Sequence, residues 1–418
     1  MLQLKNGIRV LVKPMQGLMS VSVGVMVGVG SAYETEKESG ISHYIEHMMF
    51  KGTKNRSALA ISEYVDDFGG QINAFTSKNT TCYYVKCTAE HVSRAFNVLA
   101  DMLQNSLFSE EEQKKEKGVI LEEIHMGEDT PDELCLDLSA LAIFGANGYG
   151  KPIIGTEENV KRFNREEIQA FMAKHYTPQN VVISVTGNVN EKEIYAMAEE
   201  FFGEWTARPY HLPAPKIIYQ KGTEYKSKRI EQTHLSFDFP SYAYEHENAN
   251  ALTLASAVLG GSMSSRLFQK IREELGLAYS VYTMRSSYLG GGDICVYAGV
   301  NPERSQEASA AIACLLSDFS KRGITNSEFA RAKEQMKASF VFSQDNVATQ
   351  MLVLGKHALL TGETYDLEGK LAEMNAVTLD GVNSTVAEIF NPEKLAVSAV
   401  FKEGKESDVR AAFLNAIK

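Results

Sequence analysis

His43, Glu46 and His47 stand within five consecutive residues, His43-Tyr44-Ile45-Glu46-His47, and their types are those that hold a metal and move a proton. On an α-helix, residues four apart stack on one face, so the two imidazoles converge on one ion while Glu46 stays beside them. The order H-x-x-E-H inverts the commoner H-E-x-x-H, in which the glutamate is the base of a zinc hydrolase. A catalytic zinc site takes a third protein ligand and leaves its fourth position to water, whose pKa falls to about 7. Two His at this spacing also arise by accident, capping a helix or lying solvated on it, so the third ligand is the point to settle.

The best source of that ligand is Glu116-Lys117-Gly118-Val119-Ile120-Leu121-Glu122-Glu123-Ile124, which reads as helix. Ser109 ahead of Glu110, Glu111 and Glu112 supplies an N-cap with an acidic first turn, and Glu112 holds the capping-box position. Glu116 and Glu123 are two turns apart and share a face, whereas Glu122 points about a quarter-turn away. Spacing alone does not choose between Glu122 and Glu123. For most acidic residues in such a stretch, a solvated helix face is the plainer reading.

The run His43 to Thr53, H-Y-I-E-H-M-M-F-K-G-T, resembles the metal motif of the M16 (pitrilysin-type, inverzincin) zinc peptidases, in particular the beta-type subunits of processing peptidases and their bacterial relatives. The resemblance implies one Zn²⁺ per chain held by His43, His47 and Glu123, with Glu46 as catalytic base and Glu116 in support. Gly69-Gly70-Gln71-Ile72-Asn73-Ala74-Phe75-Thr76 is similar to the family's edge strand, on which a peptide binds as an added β-strand, and this assigns substrate contacts to Asn73, Ala74 and Phe75. Standing alone it would read as an ordinary glycine-led strand. Further on, Ser265-Arg266-Leu267-Phe268 and Ile271-Arg272-Glu273-Glu274-Leu275-Gly276-Leu277-Ala278-Tyr279-Ser280 resemble the family's Arg and Tyr element. By that likeness Arg272 and Tyr279 bind the substrate backbone and polarise the scissile carbonyl; without it they read as a helix ion pair and a core tyrosine.

Long single-chain members of the family enclose short or unfolded peptides in a chamber of four similar domains, with the zinc motif in the first and the Arg and Tyr pair in the fourth. A chain with two domains is therefore expected to form a homodimer of facing halves, each copy supplying Arg272 and Tyr279 in trans. Leu259-Gly260-Gly261-Ser262-Met263-Ser264-Ser265-Arg266 is short where alpha-type partners carry an extended glycine-rich loop, so the chain is similar to a catalytic beta-type subunit or a self-pairing bacterial relative. The alternative is a non-catalytic assembly subunit of the same fold. In such subunits the metal residues have decayed, whereas His43, Glu46, His47, Glu116 and Glu123 are all intact here.

Composition bounds the elements that must position these groups. With 418 residues and 44% apolar content, the chain can bury a large core in two or three domains. A net charge of -11 disfavours nucleic acid and suits basic peptides drawn to an acidic cavity. The five cysteines are odd in number and form no C-x-x-C, which predicts free thiols in a reducing compartment. Residues 1–17 alternate like a strand and lack a signal-peptide apolar stretch, and 21–30 are apolar but too short to span a bilayer, reading instead as a buried strand. These features predict a cytoplasmic protein without membrane attachment; a mature organellar form would read the same.

The segment His175-Tyr176-Thr177-Pro178-Gln179-Asn180-Val181 is echoed about half a chain later by Ile389-Phe390-Asn391-Pro392-Glu393-Lys394-Leu395. Each sets an aromatic, a polar residue and proline before a β run and then a charged helical segment, which predicts two tandem homologous domains. Their expected limits are 1–205 for the domain with the zinc motif and 229–418 for that with the Arg and Tyr element. Between them, 206–228 holds Pro209, Pro213 and Pro215 and reads as linker. Strands such as 80–88 and 294–300 and amphipathic helices such as 89–103 and 302–319 do not alternate as βαβ units. The fold class expected is α+β, each domain a mostly antiparallel sheet with helices packed on one face.

Overall fold

The computed structural model describes residues 1–208, 210 and 213–418. Six strands form the first sheet: β1 (Leu2–Gln3), β2 (Arg9–Pro14), β3 (Ser20–Val27), β4 (Gln71–Thr76), β5 (Thr81–Thr88) and β6 (Val181–Gly187), in the order β1-β2-β6-β3-β5-β4. Five form the second: β7 (Thr223–Lys228), β8 (Thr233–Ser241), β9 (Ala278–Tyr288), β10 (Gly291–Val300) and β11 (Ala396–Lys402), in the order β7-β11-β8-β10-β9. In the first, β2 and β6 run parallel and the other neighbours antiparallel; in the second, the parallel pair is β7 and β11.

The two sheets repeat one topology, with a parallel pair towards one side and a hairpin, β4–β5 or β9–β10, at the other edge. This is the duplication that the repeated proline segments announce. The 3-10 turns Pro178–Asn180 and Pro392–Lys394 lead into β6 and β11. Proline's fixed φ suits the first position of such a turn.

In strand β3 the valines fall at every second position. Val21, Val23, Val25 and Val27 point into one core with helix residues such as Phe96 and Ile194, from Val92–Asn105 and Glu191–Phe202. Met26 points the other way, against Met351 of the helix Val347–Thr361. That helix sits so close that a Cβ on Gly24 would stand 2.1 Å from Met351 Sδ, and Ser184 Oγ donates to the Met351 carbonyl at 2.9 Å. Both faces of the strand are therefore covered.

Contacts divide the chain into one unit of Met1–Ile124, Pro152–Pro213 and Val341–Asp366 and a second of His125–Lys151, Ala214–Phe340 and Leu367–Lys418. The linear limits 1–205 and 229–418 thus need correction, because each unit contains a helix from the other half of the sequence. In the second unit the helix Pro131–Phe144 lies on β8 and β11, where Ser139 Oγ donates to Asp238 Oδ1 at 2.5 Å and Ser398 Oγ to the Cys135 carbonyl at 2.8 Å. The expected linker also ends early: Thr223–Lys228 is β7, paired with β11. Its Pro209, with His211 and Leu212, lies outside the described residues. All five cysteines are free, four of them buried. Among the described residues, no helix is long and apolar enough to cross a membrane.

Candidate metal centre

The helix Ile41–Met48 turns Ile41, Tyr44, Ile45 and Met48 into the core at the spacing of a buried helical face. His43, Glu46 and His47 fall on its remaining margin, each half-buried. The N-cap is Gly40, at φ 96°, which has no side chain to accept the first amides. Glu34 does this instead: Oε2 accepts the Gly40 N–H at 2.7 Å and Oε1 the Ser42 N–H at 2.8 Å. Burial pushes the Glu34 carboxyl up to about 7, against the pull of those two donors.

Ser109 caps the helix Glu110–Glu128 as expected, its carbonyl accepting the Gln113 N–H at 2.9 Å. Gln113, Glu116 and Ile120 are buried, Glu123 is half-buried and Glu122 is exposed, so the fold turns Glu123 inward, the choice that spacing leaves open. Glu123 Oε2 lies 3.5 Å from His47 Nε2 and 3.9 Å from His43 Nε2. One ligand atom from each residue falls within 4.8 Å of the others. Tetrahedral zinc with bonds near 2.0–2.1 Å sets its ligand atoms about 3.3 Å apart, so two imidazoles and a carboxylate fit the ion once they draw together by roughly an ångström or less on each side.

His47 Nδ1 lies 2.9 Å from Glu116 Oε1, and Lys51 Nζ lies 2.6 Å from Glu116 Oε2. Burial opposes the charged form of Glu116, but the His47 and Lys51 partners outweigh it and hold its pKa below the usual carboxylate range. For His47, burial likewise opposes protonation, yet Glu116, Glu123 and Glu46 together raise its pKa. His43 differs: burial, with the His47 charge adding to it, lowers its pKa to about 4, so its ring is neutral and able to ligate. Its buried Nδ1 has no hydrogen-bond partner among the described residues.

Glu46 is raised above its ordinary pKa, chiefly by burial and also by Glu123, while Thr76 and His47 pull the other way. Thr76 Oγ1 donates to Glu46 Oε2 at 2.5 Å. Thr76 ends β4, which pairs only with β5 among the described strands and is the sheet edge that the family resemblance requires. Along β4, Ile72 and Ala74 pack with the core beneath the motif helix, while Phe75 lies on the opposite face with Met26 and Met351. Asn73 is exposed.

Arg272 and Tyr279 belong to the second unit. Arg272 lies in the π-helix Phe268–Glu274, its guanidinium 4.7 Å from the Phe268 ring centre and 5.4 Å from that of Tyr279. Tyr279, at the start of edge strand β9, is 74% exposed and so is no core tyrosine. Arg266, by contrast, is bound to Glu328 by two contacts of 2.8 Å and is structural.

Sequence reasoning passed over Glu34, Lys51, Thr76 and Asp101. Lys51 lies within the run 43–53 and Thr76 within 69–76, and Lys51 stands four residues after His47, which is the available signal. Asp101 is buried and takes hydrogen bonds from Thr53, Asn55, Arg56 and Asn105, pinning the loop that follows the motif helix. No local pattern marks it or Glu34.

Residues 9–157, which contain the whole cluster, match the family model described as insulinase, peptidase family M16, and residues 162–336 match that of the peptidase M16 inactive domain. The chain is 42% identical over 402 residues to the uncharacterized zinc protease YmxG of Bacillus subtilis, covering 96% of this chain and 97% of that protein. The chain belongs to peptidase family M16. This M16 chain is also 34% identical to an uncharacterized zinc protease of Streptomyces coelicolor, over 98% of its own length and 91% of the relative's. The M16 fold is shared with a protease from Helicobacter pylori, at TM-score 0.88 and 23% identity over 96% of this chain and 98% of that one. A Pseudomonas fluorescens structure titled as a peptidase M16 inactive domain gives TM-score 0.90 at 18% identity, over 97% and 98%. The "inactive" model covers a region that excludes every member of the M16 His–His–Glu cluster.

Proposed function

We propose that this M16 chain is a zinc-dependent endopeptidase that hydrolyses short or unfolded peptides laid along β4. The observation that carries the reading is the convergence of His43 Nε2, His47 Nε2 and Glu123 Oε2 beside a glutamate whose pKa is raised. Held by those three residues, zinc supplies Lewis acidity, which makes water a nucleophile near neutral pH and polarises a peptide carbonyl.

The chain's own groups do the rest. Glu46 accepts the proton of the attacking water and returns it to the leaving amine, a task for which a raised pKa suits it. Glu116 fixes the His47 tautomer through Nδ1, directing Nε2 to the cluster, and Lys51 keeps Glu116 ionised. The free edge of β4 offers backbone N–H and C=O groups to a peptide without regard to its side chains, with Asn73, Ala74 and Phe75 flanking it. Arg272 and Tyr279 bind the substrate backbone and donate to the developing oxyanion, supplied by a second copy across a closed chamber. The exposure of Tyr279 and the two-domain length support that last assignment.

The test compares zinc content and cleavage of a quenched basic peptide for the wild type and Glu46→Gln. One zinc per chain in both, with cleavage in the wild type alone, is the expected result. A wild type that binds no zinc and cuts nothing would make the chain a non-catalytic assembly subunit.

A further inference from the structure

We propose that Thr76 is a positioning residue that couples the peptide-binding edge of β4 to the base Glu46. The inference rests on the reading of Glu46 as base and of β4 as substrate strand. Its starting point is the 2.5 Å hydrogen bond from Thr76 Oγ1 to Glu46 Oε2. A carboxylate with one oxygen so held has lost the freedom to rotate about its terminal torsion, and its other oxygen is left for the water.

Thr76 is itself well fixed. It is the last residue of β4, paired with Thr81, and the turn that follows is closed by the Ser77 N–H to the Thr80 carbonyl at 2.8 Å and by Ser77 Oγ to the same oxygen at 2.9 Å. The tip of this hairpin is also tied to the chain leading into the motif helix. The Ser77 carbonyl accepts the Ser31 N–H at 3.1 Å, and the Lys78 carbonyl accepts the Ala32 N–H at 2.9 Å. A Cβ on Gly30 would stand 2.0 Å from the Ser77 carbonyl oxygen, so this approach needs glycine there. The hairpin tip is therefore bonded to the turn Ser31–Tyr33 ahead of the motif helix, and the hydroxyl sits on it with the restricted χ1 of a β-branched side chain.

Strand direction supplies the coupling. Ile72, Ala74 and Thr76 alternate onto the face that carries the motif helix, while the backbone edge of the same strand is open. A peptide that adds to this edge lies along the same strand whose last residue holds the Glu46 carboxylate. Base and substrate backbone are thus set by one strand.

The experiment uses the full-length zinc-loaded protein and a quenched basic peptide, comparing Thr76→Val, Thr76→Ser and Glu46→Gln with the wild type, and records zinc content and melting temperature for each. Thr76→Val is expected to lower kcat about tenfold or more while KM stays within about twofold, with zinc content unchanged, and Thr76→Ser to recover to within about threefold of the wild type. A merely structural role would lower zinc content or melting temperature and would leave kcat per bound zinc intact. If Thr76→Val melts early, Thr76→Ala removes the same hydroxyl without adding bulk and is read in its place. Wild-type kcat in Thr76→Val beside an inactive Glu46→Gln would overturn the inference, as would a Thr76→Ser as impaired as Thr76→Val. Wild-type cleavage by Glu46→Gln would instead remove the reading of Glu46 as base, and the coupling with it.

Discussion

Glu116 Oε1 stands 2.9 Å from His47 Nδ1, while the other nitrogen of the same ring, Nε2, faces Glu123. A proton on Nδ1 satisfies the buried carboxylate and leaves the Nε2 lone pair for a metal. One hydrogen bond thus sets tautomer, ring orientation and ligand basicity together.

Replacement of Glu116 by Gln keeps the shape of the side chain and removes its charge, leaving Lys51 without its counter-ion. Zinc affinity, measured by competition with a chromophoric chelator, is expected to weaken about 10–100-fold, the usual effect of losing such a partner. Unchanged affinity would show that Glu116 does not act through His47.

Glu34 carries the two amide hydrogen bonds that Gly40 cannot provide. Glu34→Ala leaves two donors at the helix start without acceptors, at about 1–3 kcal/mol each. Urea denaturation is expected to show a loss of about 2–6 kcal/mol. A loss below about 1 kcal/mol would mean that other groups cap the motif helix.

Asp238 supplies a pH dependence. Wholly buried between Ser139 and Ser236, its carboxyl is pushed up to about 7 by desolvation, against the two hydroxyl donors. The neighbouring thiols Cys135 and Cys295 are also raised by burial and stay neutral across this range. Because the folded pKa exceeds the unfolded value of about 3.9, the group's contribution to stability is fully present below about pH 4 and is lost as pH rises through about 7. In urea denaturation at pH 4, 5.5 and 7.5, the wild type is expected to lose stability steadily relative to Asp238→Asn as pH rises. A difference independent of pH would mean that Asp238 is ionised throughout.

Supply of Arg272 and Tyr279 in trans has a complementation signature. Mixing Glu46→Gln with Tyr279→Phe, each inactive alone, makes mixed dimers in which one site has both Glu46 and Tyr279. About a quarter of wild-type activity is expected at equal mixing with free exchange of copies. If exchange is demonstrated and activity stays absent, the element acts within its own chain.

Much of this was legible in the chain itself, for a physical reason. His43, Glu46 and His47 fall within one helical turn, so covalent spacing and helix geometry already bring them together. The repeated proline turns before β6 and β11 announce the duplication in the same local way. Glu123 was half legible: spacing put Glu116 and Glu123 on one face, but only the packing of that helix, with Ile120 buried and Glu122 exposed, turned Glu123 inward.

What only the tertiary structure decided lies in contacts between residues far apart along the chain. The exchange of the helices Pro131–Phe144 and Val347–Thr361 between the two units leaves little local trace, because an amphipathic helix shows that it has a buried face and not which sheet buries it. Thr76 meets Glu46 because β4 ends beside the motif helix, and Glu34 meets that helix through a turn whose composition names no partner. The sequence determined the kind of chemistry, through residue types held at helical spacing. The fold decided which further carboxylates and hydroxyls orient it, because these contacts form only when the sheet edge and the helices are packed.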